Sequence, residues 1–143
     1  MDELDYKILA CLKENARAKL SAIANEINLS ITATTERIHR MEADGIITGY
    51  RVVIDEGRMG KDLKALISVS LEHPRYNNEF AEMVKSHPDI LECYYITGDY
   101  DFHLKISTSG SEGLEKLLNY IKGIKGVSLT RTLVVLSTIK SEL

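Results

Sequence analysis

The stretch Ser30-Ile-Thr-Ala-Thr-Thr-Glu-Arg-Ile-His-Arg-Met-Glu42 decides how this chain is read. Ser30 suits an N-cap, since its hydroxyl can accept from an amide that the first helical turn leaves unpaired. Thr34, Ile38 and Met41 follow at the i, i+4, i+7 spacing that puts them on one helix face. The opposite pole carries Thr32, Glu36, His39 and Arg40, with Ala33 and Thr35 at its margins. A helix that enters a DNA major groove needs this division, because short polar groups approach base edges while basic ones reach phosphate. A solvated surface helix would share the charge pattern, so the flanking sequence has to decide.

Upstream, Asp2 to Asn15 reads as a helix with Leu4, Ile8, Leu9 and Leu12 inward and Cys11 at the edge. Asp2 and Asp5 have the spacing of a capping pair. Ser21 is expected to cap a second, shorter helix with Ile23, Ala24 and Ile27 inward, closed by Asn28, a residue tolerant of a left-handed C-cap. Two short helices around a tight turn, backed by a first helix, describe a helix-turn-helix. Downstream, Gly45 stops the helix. The β-branched runs Ile46-Ile47 and Val52-Val53-Ile54 around Gly49 predict a small hairpin, the wing of a winged helix. Gly57 and Gly60 among charged residues mark residues 55–62 as a hinge, leaving 1–54 as the first domain.

Residues 63–143 alternate differently. Ala65, Ile67, Val69 and Leu71 lie on one face of a strand that Pro74 ends, and Phe80, Met83 and Val84 define a helix stripe up to His87-Pro88. Ile90 to Thr97 and the strand containing Phe102, Leu104 and Ile106 form a hairpin around Gly98. Ser109 or Ser111 opens a helix with Leu114, Leu117, Leu118 and Ile121 inward, ended by Gly123 or Gly126. The last strand is expected from Val127 to about Ile139, long for its kind. The order βαββαβ predicts a ferredoxin-like antiparallel sheet with two helices on one face, so the fold class is α+β.

Composition narrows the function. The 143 residues are 44% apolar and 27% charged, with net charge −3, and neither half is basic overall. DNA contact would therefore rely on a local basic surface, whose field reaches only about 8–10 Å through physiological salt. No apolar run approaches the roughly 18 residues of a membrane helix, and a cytoplasmic protein is expected. Cys11 and Cys93 form no Cys-x-x-Cys pair, and His39, His73, His87 and His103 are scattered, so no metal or other cofactor is expected. No glycine-rich phosphate loop, nucleophile elbow or paired-carboxylate signature occurs, and no enzymatic activity is expected.

Taken together, Asp2-Glu-Leu-Asp5 with Ile8-Leu9, Arg17, Ile23-Ala24, Leu29-Ser30, Arg37-Ile38-x-Arg40-Met41-Glu42, Gly45-Ile46-Ile47-x-Gly49-Tyr50 and Gly98-Asp99-Tyr100-Asp101 carry a resemblance. Over essentially its whole length the chain resembles the Lrp/AsnC-type bacterial and archaeal regulators. The resemblance implies a DNA-binding half, a hinge, and an effector-binding, oligomerising half called the RAM domain. Ser30, Thr32, Ala33, Thr35, Glu36, Arg37, His39 and Arg40 would then face double-stranded DNA. Two departures stand out. Ser30-Ile31 replaces the Ser-Pro with which such proteins often open this helix, and Glu36-Arg37 replaces two consecutive basic residues. A carboxylate repels phosphate but can accept from cytosine N4. The helical projection also puts Arg37 near the core edge, where it would clamp the backbone or a neighbouring helix.

An effector site is expected at Gly98, Asp99, Tyr100 and Asp101. Glycine exposes backbone amides that can receive a carboxylate, and an outward Asp101 can accept from an ammonium group, as an amino acid requires. On the residues alone a plain hairpin loop with a satisfied aspartate is the commoner reading. The resemblance implies use of this loop between subunits, completed by Thr130 and Thr132 of a neighbour, in a homodimer or a higher oligomer such as an octamer. Two other classes fit the same architecture. One is an enzyme similar to the sirohaem decarboxylases, recruiting His103 or Arg131. The other is an architectural DNA-binding protein without an effector.

Overall fold

Asp2 opens the first helix of the computed structural model, which describes residues 1–141. Its carboxylate accepts from the Asp5 amide at 3.0 Å while Asp5 accepts from the Asp2 amide at 2.9 Å, the reciprocal cap that the spacing suggested. Helix α1 (Glu3–Glu14) is followed by α2 (Leu20–Glu26) and α3 (Ile31–Ala43). Ser30 caps α3 by accepting from Ala33 N at 3.1 Å. Asn28 adopts φ 55° between α2 and α3, the left-handed conformation that lets the chain turn within a few residues.

Ile8, Ile23, Ile27, Ile38 and Met41 form the core of this first unit, at most 7% exposed. Each such side chain contributes about 1.5–3 kcal/mol by leaving water. The inward positions read from periodicity are therefore the packed ones, and Thr34 joins them fully buried. Its hydroxyl is satisfied by the Ser30 carbonyl at 2.9 Å, which is how a polar group sits in that core without penalty.

Two local expectations fail here. Ser21 does not cap α2, because the helix begins two residues earlier: Lys19 is the cap residue, without a side-chain bond, and its carbonyl accepts from Ala22 and Ile23. The hairpin expected across Ile46 to Ile54 does not form, and none of these residues is in a strand. The amides of Ile46 and Ile47 both donate to the Met41 carbonyl, so they close α3 after Gly45 (φ 70°) instead of pairing with Val52–Ile54. Val52 is left 85% exposed and Val53 71% exposed. Tyr50 returns to α3 through a 2.8 Å bond to Glu42.

The chain divides into two compact units, 1–53 and 54–143. The second opens with a 3-10 turn, Gly57–Met59, and continues as β1 (Leu63–Leu71), a 3-10 turn at Pro74–Tyr76, α4 (Asn77–Lys85), β2 (Ile90–Tyr95), β3 (Phe102–Thr108), α5 (Gly110–Lys122) and β4 (Val127–Val134). The sheet order is β2-β3-β1-β4 with every neighbouring pair antiparallel, the ferredoxin-like arrangement. Ala65, Ile67 and Val69 of β1 and Phe102, Leu104 and Ile106 of β3 pack against Phe80 and Val84 of α4 and Leu117 and Ile121 of α5. Met83, read as part of the α4 stripe, is instead 40% exposed.

Strand β4 is shorter than expected, and β1 is the reason. Ala65 pairs with Val134 and the Val135 amide bonds the Lys64 carbonyl; β1 begins at Leu63, so Leu136 to Ile139 find no strand to lie against. The start of α5 also differs in detail. Ser109 is the cap residue but makes no side-chain bond, and Asp62 accepts from Gly110 N at 2.8 Å in its place.

Candidate DNA-binding and effector sites

The α3 surface is built by the amphipathic division seen in its sequence. Thr32, Glu36, His39 and Arg40 are exposed, Ala33, Thr35 and Arg37 are half-buried, and Ser30 is exposed at the cap. The hydroxyl of Thr35 donates to the Ile31 carbonyl at 2.8 Å, so its hydrogen is spent within the helix.

Neither arginine of α3 simply projects into solvent. Arg37 Nη1 donates to both oxygens of Asp2, at 2.9 and 2.7 Å, and to Asp5 Oδ1 at 2.8 Å. Arg40 Nη2 donates to both oxygens of Asp5 at 2.9 Å. Asp5 is 1% exposed, whereas the side chains of Arg37 and Arg40 are 22% and 54% exposed. A buried carboxylate at the start of α1 thus gathers two guanidinium groups from α3, and burial raises the stakes of leaving any of them unpaired. The Asp5 amide, and then Arg37, holds the Asp2 carboxyl below the ordinary value; Asp5 is lowered likewise by the Asp2 amide and both arginines.

Arg37 therefore clamps a neighbouring helix, one of the two roles its projection allowed. Arg40, expected wholly on the outward pole, is drawn partly toward α1 because Asp5 needs a second cation, and it keeps about half of its side chain in water. The role of Asp2 and Asp5 as arginine holders was not singled out from sequence. Their partners lie 32 to 35 residues away, and helical periodicity carries no signal at that range.

In the second unit, the Gly98–Asp101 loop is anchored to the end of β1. The Asp101 amide donates to the Val69 carbonyl at 2.9 Å, and Ser70 Oγ donates to the Asp99 carbonyl at 3.2 Å. Asp101 Oδ2 accepts from the Leu71 amide at 2.7 Å. This carboxylate does not stand entirely free. Where β3 has turned into the loop it supplies the acceptor that Leu71 would otherwise lack. Gly98 takes φ 107° and is exposed with Asp99, while Tyr100 and Asp101 are half-buried.

Thr130 and Thr132 pair with Val69 and Ile67 on β4, and both are half-buried. Within one protomer β1 lies between β4 and β3, so the threonines and the loop are carried on opposite sides of that strand. The open sheet face carries His103, whose Nδ1 is 3.2 Å from Ser68 Oγ, and Arg131, which pairs with Ser68. Leu129 and Leu133 on the same face are 57% and 50% exposed. A concavity of about 260 Å³, missed from sequence, is lined by His87, Asp89, Ser109, Glu112 and Lys116; its charged groups are already paired, Glu112 with Lys116 and Asp89 with Lys61. Among the described residues no group of His, Cys, Asp and Glu could hold a metal ion, and no helix is long and apolar enough to cross a membrane.

A helix-turn-helix with a polar-faced third helix, joined to a ferredoxin-like unit, defines a class of regulatory protein, and comparison with known proteins identifies the family. Residues 64–143 match the Lrp/AsnC ligand binding domain and residues 1–48 the winged helix-turn-helix DNA-binding family. The HTH-type transcriptional regulator FL11 of Pyrococcus horikoshii is 36% identical over 140 residues, covering 98% of this chain and 92% of that protein. The structure of Escherichia coli AsnC superposes with a TM-score of 0.90 at 29% identity, over 99% of this chain and 95% of that one. A Neisseria meningitidis transcriptional regulator, crystallised as a complex with L-methionine, gives 0.94 at 26% identity over 99% and 93%. The chain belongs to the Lrp/AsnC family of transcriptional regulators. The relatives named here are transcriptional regulators, the class expected first from the sequence.

Proposed function

We propose that this chain is a sequence-preferring DNA-binding regulator whose activity responds to a small metabolite, an amino acid. The observation that carries this reading is the α3 surface, where a capped helix exposes Thr32, Glu36 and His39 beside the half-exposed Arg40. Residues 1–54 would bind DNA, 55–62 act as the hinge, and 63–143 bind effector and assemble; the last two of those residues lie outside the described part. Ser30, Thr32, Ala33, Thr35, Glu36 and His39 approach the groove, Arg40 reaches phosphate, and Arg37 fixes α3 to α1.

The exposed Leu129 and Leu133 on the open face of a small sheet favour a second copy as their cover. A homodimer would place two recognition helices about 34 Å apart or at a multiple of that, one turn of DNA each. At the head of β3, the Gly98–Asp101 loop would take the amino acid, with Thr130 and Thr132 of another copy closing the pocket. That a relative was crystallised with L-methionine supports this effector class. The ligand acts only through unequal affinity for two assemblies.

Titrating a fluorescent duplex carrying a recovered binding site tests this reading. Arg40→Ala is expected to weaken binding alike on all sequences and to reduce the slope of log affinity against log salt by about one. Unchanged affinity and slope would show that α3 is not docked on DNA in this way. Sedimentation at micromolar concentration tests the assembly, and a monomer there would contradict it.

A further inference from the structure

Glu36 sits at the centre of the outward pole of α3, one turn after Thr32 and one before Arg40, and it is exposed. Among the described residues it makes no hydrogen bond or ion pair. Its neighbours differ. The two guanidinium groups of the helix point at Asp2 and Asp5, and the hydroxyls of Thr34 and Thr35 donate to the carbonyls of Ser30 and Ile31. The residues of the pole that make no such bond are Thr32, Glu36 and His39, while Arg40 keeps only the donors that Asp5 does not engage.

A free carboxylate on a surface that approaches phosphate is unfavourable unless something in the groove donates to it. In the major groove the donors are the exocyclic amines of cytosine and adenine. Adenine sets its N6 amine beside the N7 acceptor, which would face a carboxylate lone pair to lone pair; cytosine presents N4 without such a neighbour on the same base. The usual guanine-reading group, a bidentate arginine, is the one this helix has turned toward α1.

We propose that Glu36 is a specificity-determining residue that selects cytosine at one position of each half-site. The proposal rests on the DNA-reading function argued above and assigns it a base. Thr32 and His39 flank the carboxylate and refine the context, while Arg37 and Arg40, tied to Asp2 and Asp5, contribute position rather than sequence.

Selection from a randomised duplex library, carried out with the full chain and with its Glu36→Gln and Glu36→Ala variants, tests it. Because the side chain is exposed and unpaired, both variants keep the fold. The parent is expected to enrich cytosine at one position per half-site. Glu36→Gln should move that position toward adenine, whose N6 and N7 match an amide, and Glu36→Ala should lose about tenfold in discrimination there while other positions stay as they were. If all three proteins enrich the same sequences, Glu36 reads no base and the proposal is overturned. If the parent itself enriches no sequence, the DNA-reading function fails with it, so the two failures are distinguishable.

Discussion

Arg40 Nη2 lies 2.9 Å from each carboxylate oxygen of Asp5, a residue only 1% exposed. This contact ties α3 to α1. It also means that a substitution on one helix will be felt by the other. Asp5→Ala takes away the partner of Arg40, leaves Arg37 with Asp2 alone and removes half of the α1 capping box, and it is expected to cost about 1–3 kcal/mol. Urea unfolding followed by circular dichroism reads this directly. A midpoint equal to the parent's would mean that the cluster is held together by nothing beyond solvent-exposed charge.

The same cluster sets an acid limb. Asp2 and Asp5 have folded values below the ordinary 3.8, so their contribution is fully present above that value and is lost as pH falls through the folded values. Stability should therefore decline from just below pH 4 downward, more steeply in the parent than in Asp5→Ala. Urea midpoints taken between pH 6 and pH 2 test the sign. Parallel curves for the two proteins would contradict it.

Gly126 precedes β4 with φ 89°, and an added Cβ would overlap the Cβ and ring of Tyr76. Gly60 has a similar φ of 83° but open space around it. Gly126→Ala should thus cost about 2–4 kcal/mol, combining backbone strain with overpacking, and Gly60→Ala only about 1–2 kcal/mol. Equal losses in thermal unfolding would show that Tyr76 moves aside freely.

Asp101 both bonds the Leu71 amide and is proposed to face the ammonium group of an effector. Asp101→Asn separates the roles, since the amide oxygen can still accept from Leu71 while the charge is gone. The variant should fold and bind DNA without effector as the parent does, yet give no heat with any amino acid in calorimetry. A parental response from Asp101→Asn would remove the carboxylate from the site.

What could be read from the sequence was local or periodic. Ser30 caps α3, Asn28 turns left-handed, and Ala65, Ile67, Phe102, Leu104 and Ile106 fill the second core, because caps and alternation act within a few residues. The errors came where a distant partner decides. Val52–Ile54 have strand-forming side chains, but the amides of Ile46 and Ile47 had already closed α3. Leu136 to Ile139 look like strand until one knows that β1 starts at Leu63. In the α3 surface the outward residues and the edge position of Arg37 were legible, whereas the acidic partners of Arg37 and the diversion of Arg40 were not, since they depend on how α1 crosses α3.

Recovery of bound DNA across the genome, with and without an amino-acid mixture, tests the central claim most directly. This account predicts discrete sites that share a two-fold-symmetric sequence and whose occupancy changes when amino acids are added. Uniform recovery of DNA without a shared sequence, unaffected by the mixture, would contradict it and leave an architectural DNA-binding protein as the better description.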